Sequence, residues 1–476
     1  MLFSSVTFLY YFLPITLLLY YLVPKACKNV VLLLSSLIFY GWGEPRYLFV
    51  MLFSVLSGYL LGLLIEKYRE GKFGKVFLVL SLCSSVGTLG YYKYVDFFIE
   101  NFGKVTGMHL SALRIALPIG ISFYTFQIMS YTVDVYRGKV KAQSNLVTLA
   151  TYITMFPQLI AGPIVRYQDL ESALSNRSIL PDEVWQGGKR FLIGLGKKVL
   201  LANTFGEFVA QFQNAREQSV LFYWLYALAY TLQIYYDFSG YSDMAIGLGK
   251  MLGFTFPENF QYPYISTSIT EFWRRWHMTL GGWFRDYVYI PLGGNRVPKW
   301  KWIRNIFIVW FLTGFWHGAA WNFILWGLFY GVLLLVEKLW LGKYLHKNLL
   351  SHLYVMLCVM VGFVIFGAEN IGEAKTVLAG MIGLSATSAN AITRVLPFVS
   401  QESIYYGKSF FLLFFFGILG AFGWPANFGQ RMKLLFEGEK SVLFQILEGM
   451  WFVGILLLAT AYLVDGSFNP FLYFRF

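Results

Sequence analysis

The 476-residue chain is short of charge: only 13% of its residues are Asp, Glu, Lys or Arg, against about 25% in a water-soluble globular protein. That is too little polar surface to cover a water-facing exterior, which excludes a soluble enzyme and a charge-rich disordered segment. Cysteine is equally scarce. Cys27, Cys83 and Cys358 are the only three. They lie in or beside apolar runs without CxxC spacing, and build neither a disulfide framework nor a zinc site. Acidic residues number 25 against 38 basic ones, a formal charge of +13. No basic run stands alone, so the excess fits cytoplasmic membrane loops and not a nucleic-acid surface. There is no GxSxG elbow, Walker A loop, HExxH helix or GxGxxG turn. His277 and His317 have no Cys or carboxylate at ligand spacing, so no metal site is expected.

What is present is apolar: 57% of the residues are hydrophobic and 20% aromatic. At about 20 residues per crossing, this composition predicts an all-α polytopic membrane protein of about 11–13 helices, with lipid as its surroundings. Apolar runs fall near 6–23, 29–43, 47–66, 75–93, 115–136, 199–214, 220–240, 303–316, 318–337, 350–367, 409–424 and 441–464. The first has no basic residue before it and no small-residue cleavage site, so it reads as a retained span. The stretch 146–165 is broken by Pro157, Gly162 and Pro163 and reads as re-entrant, with its backbone satisfied by surrounding protein.

Basic clusters lie at Lys67–Lys75, Arg137–Lys141, Lys189–Lys198, Arg274–Arg304, Lys338–Lys347 and Arg431–Lys440. Placing all of them in the cytoplasm gives a consistent alternation with both termini outside. The links at 94–114 and 369–408 are mixed or simply polar. Residues 257–302 mix Trp, Tyr, Arg and Asp too densely for a span, and predict helices lying at the interface. No period of 20–50 residues recurs, so the chain reads as one domain over 1–476.

Candidate chemistry concentrates between about 120 and 325. His317, in FLTGFWHGAAWNFILWG, sits about 20 Å along a helix rising from Arg304. Ionisable groups at that depth are costly and usually face an interior cavity. Its flanking glycines, Gly314 and Gly318, permit close approach of a substrate or a helix. His277 closes EFWRRWH, where Arg274 and Arg275 are expected to depress its pKa and keep it neutral. YYDFSGYSD, including Asp237, Tyr241 and Asp243, is the densest polar cluster at membrane depth. It suits either a wet path or pairing with neighbouring helices. Gln127 and Asn322 are further polar residues at that depth, and the interfacial Arg274, Arg275 and Arg285 suit phosphates or anionic lipid equally.

These residues carry a resemblance. EFWRRWHMTLGGWFRDYVYIPLGGNR, then RN and FLTGFWHGAAWNFILWG, resemble the membrane-bound O-acyltransferase family, in its bacterial alginate O-acetyltransferase-like branch. LPIGISFYTFQIMSYTVDVYRG, FPQLIAGPIVRY, YYDFSGYSDMAIGLGKMLGF and the closing YFRF agree. The likeness covers most of 1–340 and thins over 341–460. It implies a helical fold around a central tunnel, a catalytic core at about 115–340 and less distinctive helices over 341–476. It also implies catalytic roles for His317, at the narrowest point, and His277, and a bacterial inner-membrane location.

The resemblance further implies an O-acetyltransferase with no bound cofactor and acetyl-CoA as acyl donor. The acetyl group would cross the membrane toward hydroxyls of an exopolysaccharide or cell-envelope glycan, directly or through a partner acetyltransferase of SGNH type. On this reading His317 is the base that a poorly nucleophilic hydroxyl needs, and His277 orients the reaction or donates to the thioester carbonyl. Asn322 is a candidate oxyanion donor, and the arginines would meet the donor's phosphates. The competing expectations are D-alanyl transfer to teichoic acid from a carrier-protein thioester, and a non-enzymatic glycan or lipid transporter.

Overall fold

The computed structural model describes residues 1–388, 391–435, 441–466 and 471–472. The closing Tyr473–Phe476 and the end of the Arg431–Lys440 cluster lie outside them. Among the described residues the fold is helical throughout, apart from a two-stranded antiparallel ribbon that pairs Leu384 with Val395. Six helices are long and apolar enough to cross a membrane: Lys25–Gly43, Pro45–Lys67, Lys72–Thr106, Trp321–Leu339, Leu349–Gly367 and Val442–Asp465. The pair Gln401–Ser409 and Phe411–Ala421, bent by 60°, would make a seventh. Other runs expected to span are helical but carry charge or end early. Lys299–His317 opens with Lys299, Lys301 and Arg304, and Ile121–Tyr136 buries Gln127 and Asp134. The helix begun at Lys72 continues to Thr106, through much of what reads in sequence as a polar link.

The chain divides into two compact units, residues 1–191 with 241–258, and residues 192–240 with 259 onward. In the first, the Leu48–Lys67 helix meets Ile121–Tyr136 at Gly58 and Gly62. A Cβ there would stand 2.9 Å from Ile128 Cγ2 and from Tyr131 Cε1. The stretch 146–165 is indeed broken: one helix ends at Thr154, Met155 turns extended, and a single turn follows at Phe156–Leu159. Its backbone is satisfied from within the protein, as Phe156 N–H donates to Ser36 Oγ at 3.0 Å.

In the second unit, Lys299–His317 and Trp321–Leu339 form a tight hairpin. A Cβ on Gly314 would collide with the Phe323 carbonyl, and one on Gly327 with that of Trp310. The glycines around His317 therefore serve helix-on-helix contact. The interfacial stretch folds as two short helices, Ile269–Arg275 and Met278–Phe284, followed by a wider turn at Arg285–Tyr289.

Candidate active site

His317 is the last residue of its helix, where Gly318 turns extended and ends it. Its ring is 5% exposed and sits edge-on to Trp316, Trp326 and Phe366 at centroid distances of 5.0, 5.1 and 5.1 Å. His277 belongs to the same unit. It forms the junction between the two short helices in a left-handed conformation, φ 44°, which costs a non-glycine residue about 1–2 kcal/mol. Strain of this kind collects where a side chain must be aimed. The His277 ring lies 4.7 Å from Phe238 and 6.1 Å from Trp316. Both imidazoles therefore meet one indole, that of Trp316.

The WRRWH helix is held at both ends. Ser268 caps it by accepting from Glu271 N. The buried Glu337 carboxylate, from the Trp321–Leu339 helix, accepts from Ile269 N at 2.6 Å, Thr270 N at 2.9 Å and Thr270 Oγ1 at 2.8 Å. Three donors on one carboxylate satisfy the open N–H groups of the first turn and favour its dipole. At the other end Asn259 holds His277: its side-chain oxygen stands 3.0 Å from Nδ1. Burial alone depresses the His277 pKa to about 3. The expected neutral imidazole is present, but the arginines are not its cause. Arg275 is tied to Glu271 at 2.9 Å and to the Gln261 carbonyl, and Arg274 is exposed.

Of the remaining candidates, Asn322 donates its amide to Ala368 O at 2.8 Å, so it ties its helix to the end of Leu349–Gly367. Asp237 forms a buried 2.6 Å ion pair with Lys198 and accepts from Leu472 N at 2.8 Å. Asp243, Tyr241 and Gln127 belong to the first unit. There Arg190 joins Asp243 and Glu258, each at 2.6 Å, and Tyr241 stacks on Phe3 at 4.7 Å. Gln127 is buried in the Ile121–Tyr136 helix. Of the two uses open to YYDFSGYSD, its carboxylates thus take charge pairing. Arg285 is exposed and paired with Asp286. Asn259 and Glu337 escape a reading of the sequence because their partners lie 18 and 68 residues away. No local motif flags either residue.

Comparison with known proteins gives this geometry its context. The family described as MBOAT, membrane-bound O-acyltransferase, matches residues 46–369, a span that contains both histidines. The chain is 38% identical to the "Probable alginate O-acetylase" of Pseudomonas putida, over the full length of both. It is 34% identical to the peptidoglycan O-acetyltransferase of Helicobacter pylori, over 82% of this chain and 81% of that one. The teichoic acid D-alanyltransferase of Bacillus subtilis is 33% identical, over 52% of this chain and 67% of the relative.

Proposed function

Because the chain belongs to the membrane-bound O-acyltransferase family and is a membrane O-acyltransferase of the alginate and peptidoglycan O-acetylating type, we propose that it moves acetyl from cytoplasmic acetyl-CoA across a bacterial inner membrane toward hydroxyls of an exopolysaccharide or envelope glycan. A partner acetyltransferase on the far side would complete the transfer where the glycan is not reached directly. Both termini lie outside, with the basic loops in the cytoplasm.

The observation that carries this reading is the pair of buried imidazoles meeting on Trp316. His317 is the base. Its ring removes the proton of the acceptor hydroxyl as that oxygen attacks the thioester carbonyl. The new C–O bond forms, the C–S bond breaks, and the proton passes to the leaving thiolate. At the C-terminal end of its helix, the positive charge the ring gains meets the negative end of the helix dipole. The surrounding rings exclude water that would otherwise take the acyl group. The arginines of the 274–285 segment, among which Arg274 is exposed, would contact the donor's phosphates.

A full-length likeness to O-acetylating relatives, against half-length to the D-alanyltransferase, favours acetyl over D-alanyl. Membrane vesicles with and without the chain, supplied with acetyl-CoA labelled in its acetyl group, test this. Alkali-labile label on glycan or on a partner protein is expected only where the chain is present. Label that stays on CoA in its presence overturns the donor assignment.

A further inference from the structure

We infer that Asn259 is a positioning residue that fixes the His277 ring with its proton on Nδ1, so that Nε2 is the nitrogen presented as a hydrogen-bond and proton acceptor. This inference rests on the reading that His277 serves the reaction.

The geometry is a clamp closed from both the main chain and the side chain of one residue. The Asn259 carbonyl accepts from Met278 N at 3.0 Å, and the neighbouring Gln261 N–H donates to Arg275 O at 2.9 Å. These bonds hold the segment after Phe254 against the junction between the two short helices. The Asn259 side-chain oxygen then meets three groups of that junction: Thr279 Oγ1 at 3.0 Å, His277 Nδ1 at 3.0 Å and Thr279 N at 3.4 Å. A backbone N–H can only donate, so the amide atom facing it is the oxygen. An oxygen facing Nδ1 requires the proton there, and in a neutral imidazole the lone pair is then on Nε2.

Asn259 is fully buried and His277 is 2% exposed, so bulk water does not compete for either atom. Among the described residues, Phe238 and Trp316 stand against the ring and Asn259 meets its Nδ1, none of them charged. The nearest cation along its own chain, Arg275, is paired with Glu271. Burial disfavours the imidazolium and keeps the ring neutral. The clamp also bears on the left-handed backbone of His277, since the bond to the Arg275 carbonyl holds the chain before that turn and the bonds from residues 278 and 279 hold the chain after it. The consequence for chemistry is specific. His277 presents an acceptor toward the reacting groups, so it steers or receives a proton and does not donate to a developing oxyanion.

Nitrogen-15 NMR of the full chain in lipid bilayers, labelled at its five histidines, reads the tautomer without any assay of activity. The His277 signals are identified by their loss in His277→Gln. A protonated Nδ1 with a bare Nε2 is expected, and a protonated Nε2 overturns the inference. Transfer from labelled acetyl-CoA supplies the second readout. Asn259→Ala is expected to slow it at least tenfold per folded molecule, the equivalent of one lost hydrogen bond. Asn259→Asp places a carboxylate on Nδ1–H, favours the charged ring, and is expected to raise the pH at which the His277 nitrogen-15 signals titrate by about 1–3 units. A merely structural role would leave that midpoint unmoved, and an unmoved midpoint in a folded Asn259→Asp protein overturns the inference. Full transfer by His277→Ala would instead remove His277 from the reaction, while the tautomer measurement still decides what Asn259 does to the ring.

Discussion

Two of the buried polar regions among the described residues are built on opposite principles. In the stretch 235–243 every carboxylate is matched by a cation, Asp237 by Lys198 and Asp243 by Arg190, each at 2.6 Å. In the stretch from Asn259 to His317 the two buried histidines, His277 and His317, are set among indoles, phenyl rings and a neutral amide. A buried charge must be paired, and once paired it is locked into structure. A buried neutral imidazole is not so bound: it carries no charge that needs a partner, and a ring nitrogen stays able to accept a proton from a reacting group. The first pattern holds helices together. The second leaves groups able to do acid–base chemistry, which is why identical burial means different things in the two places.

The contrast breaks most visibly at His317. His317→Ala is expected to remove at least about a hundredfold of the transfer activity, the usual worth of a positioned base, while the protein inserts and folds normally. Ester-linked acetate on envelope glycan, measured alongside the amount of folded protein, tests it. Wild-type acetate levels in that variant would exclude His317 as the base.

The mirror experiment is Asp237→Leu, which strands the Lys198 ammonium in the interior. Breaking a buried pair from one side costs about 3–5 kcal/mol, so a large loss of folded protein is expected. Asp237→Leu with Lys198→Met removes both charges and should recover most of it. Thermal unfolding of the purified variants reads the effect. Transfer per folded molecule should stay near wild type in the double variant. A double variant that folds but does not transfer would place Asp237 among the reacting groups and erase the distinction.

Much of this was legible in the sequence because it follows from local pattern. The all-helical membrane fold follows from the apolar runs. The break at 155–157 follows from Pro157, and the place of His317 far along the helix that carries Arg304 from counting residues beyond that arginine. The rest depends on contacts between distant residues. Lys198 reads as one more cytoplasmic cation, yet it is 3% exposed and spent on Asp237. Arg275 reads as the neighbour that perturbs His277, yet it turns to Glu271 one helical turn back. Gly314 and Gly318 read as room for a substrate or a helix. Gly314 is filled by the backbone of Trp321–Leu339, and a Cβ on Gly318 would run into the Phe323 ring. In each case the composition is informative and the partner is not, since nothing in one sequence says which of two neighbouring charges a side chain will face.

The smallest expected effect lies at the rim. Arg285 is exposed and bonded to Asp286 at 2.6 Å, and exposed pairs contribute about 0–1 kcal/mol to stability. Arg285→Ala should therefore leave thermal unfolding unchanged. If the guanidinium also meets a donor phosphate, the same weak, solvent-screened attraction acts on binding. The KM for acetyl-CoA then rises about two- to fivefold with kcat unaltered, the pattern of an interaction made equally in ground and transition states. Salt separates this from an indirect structural effect. At 1 M ionic strength the screening length falls to about 3 Å, so the difference between Arg285→Ala and the wild type should close as salt is raised. A KM difference that survives high salt would mean that Arg285 acts through the packing of the Arg285–Tyr289 turn. No KM difference at any salt would confine the donor's charge recognition to Arg274 and its neighbours. The division between paired structural charges and uncharged reacting groups would then extend to the surface of the protein.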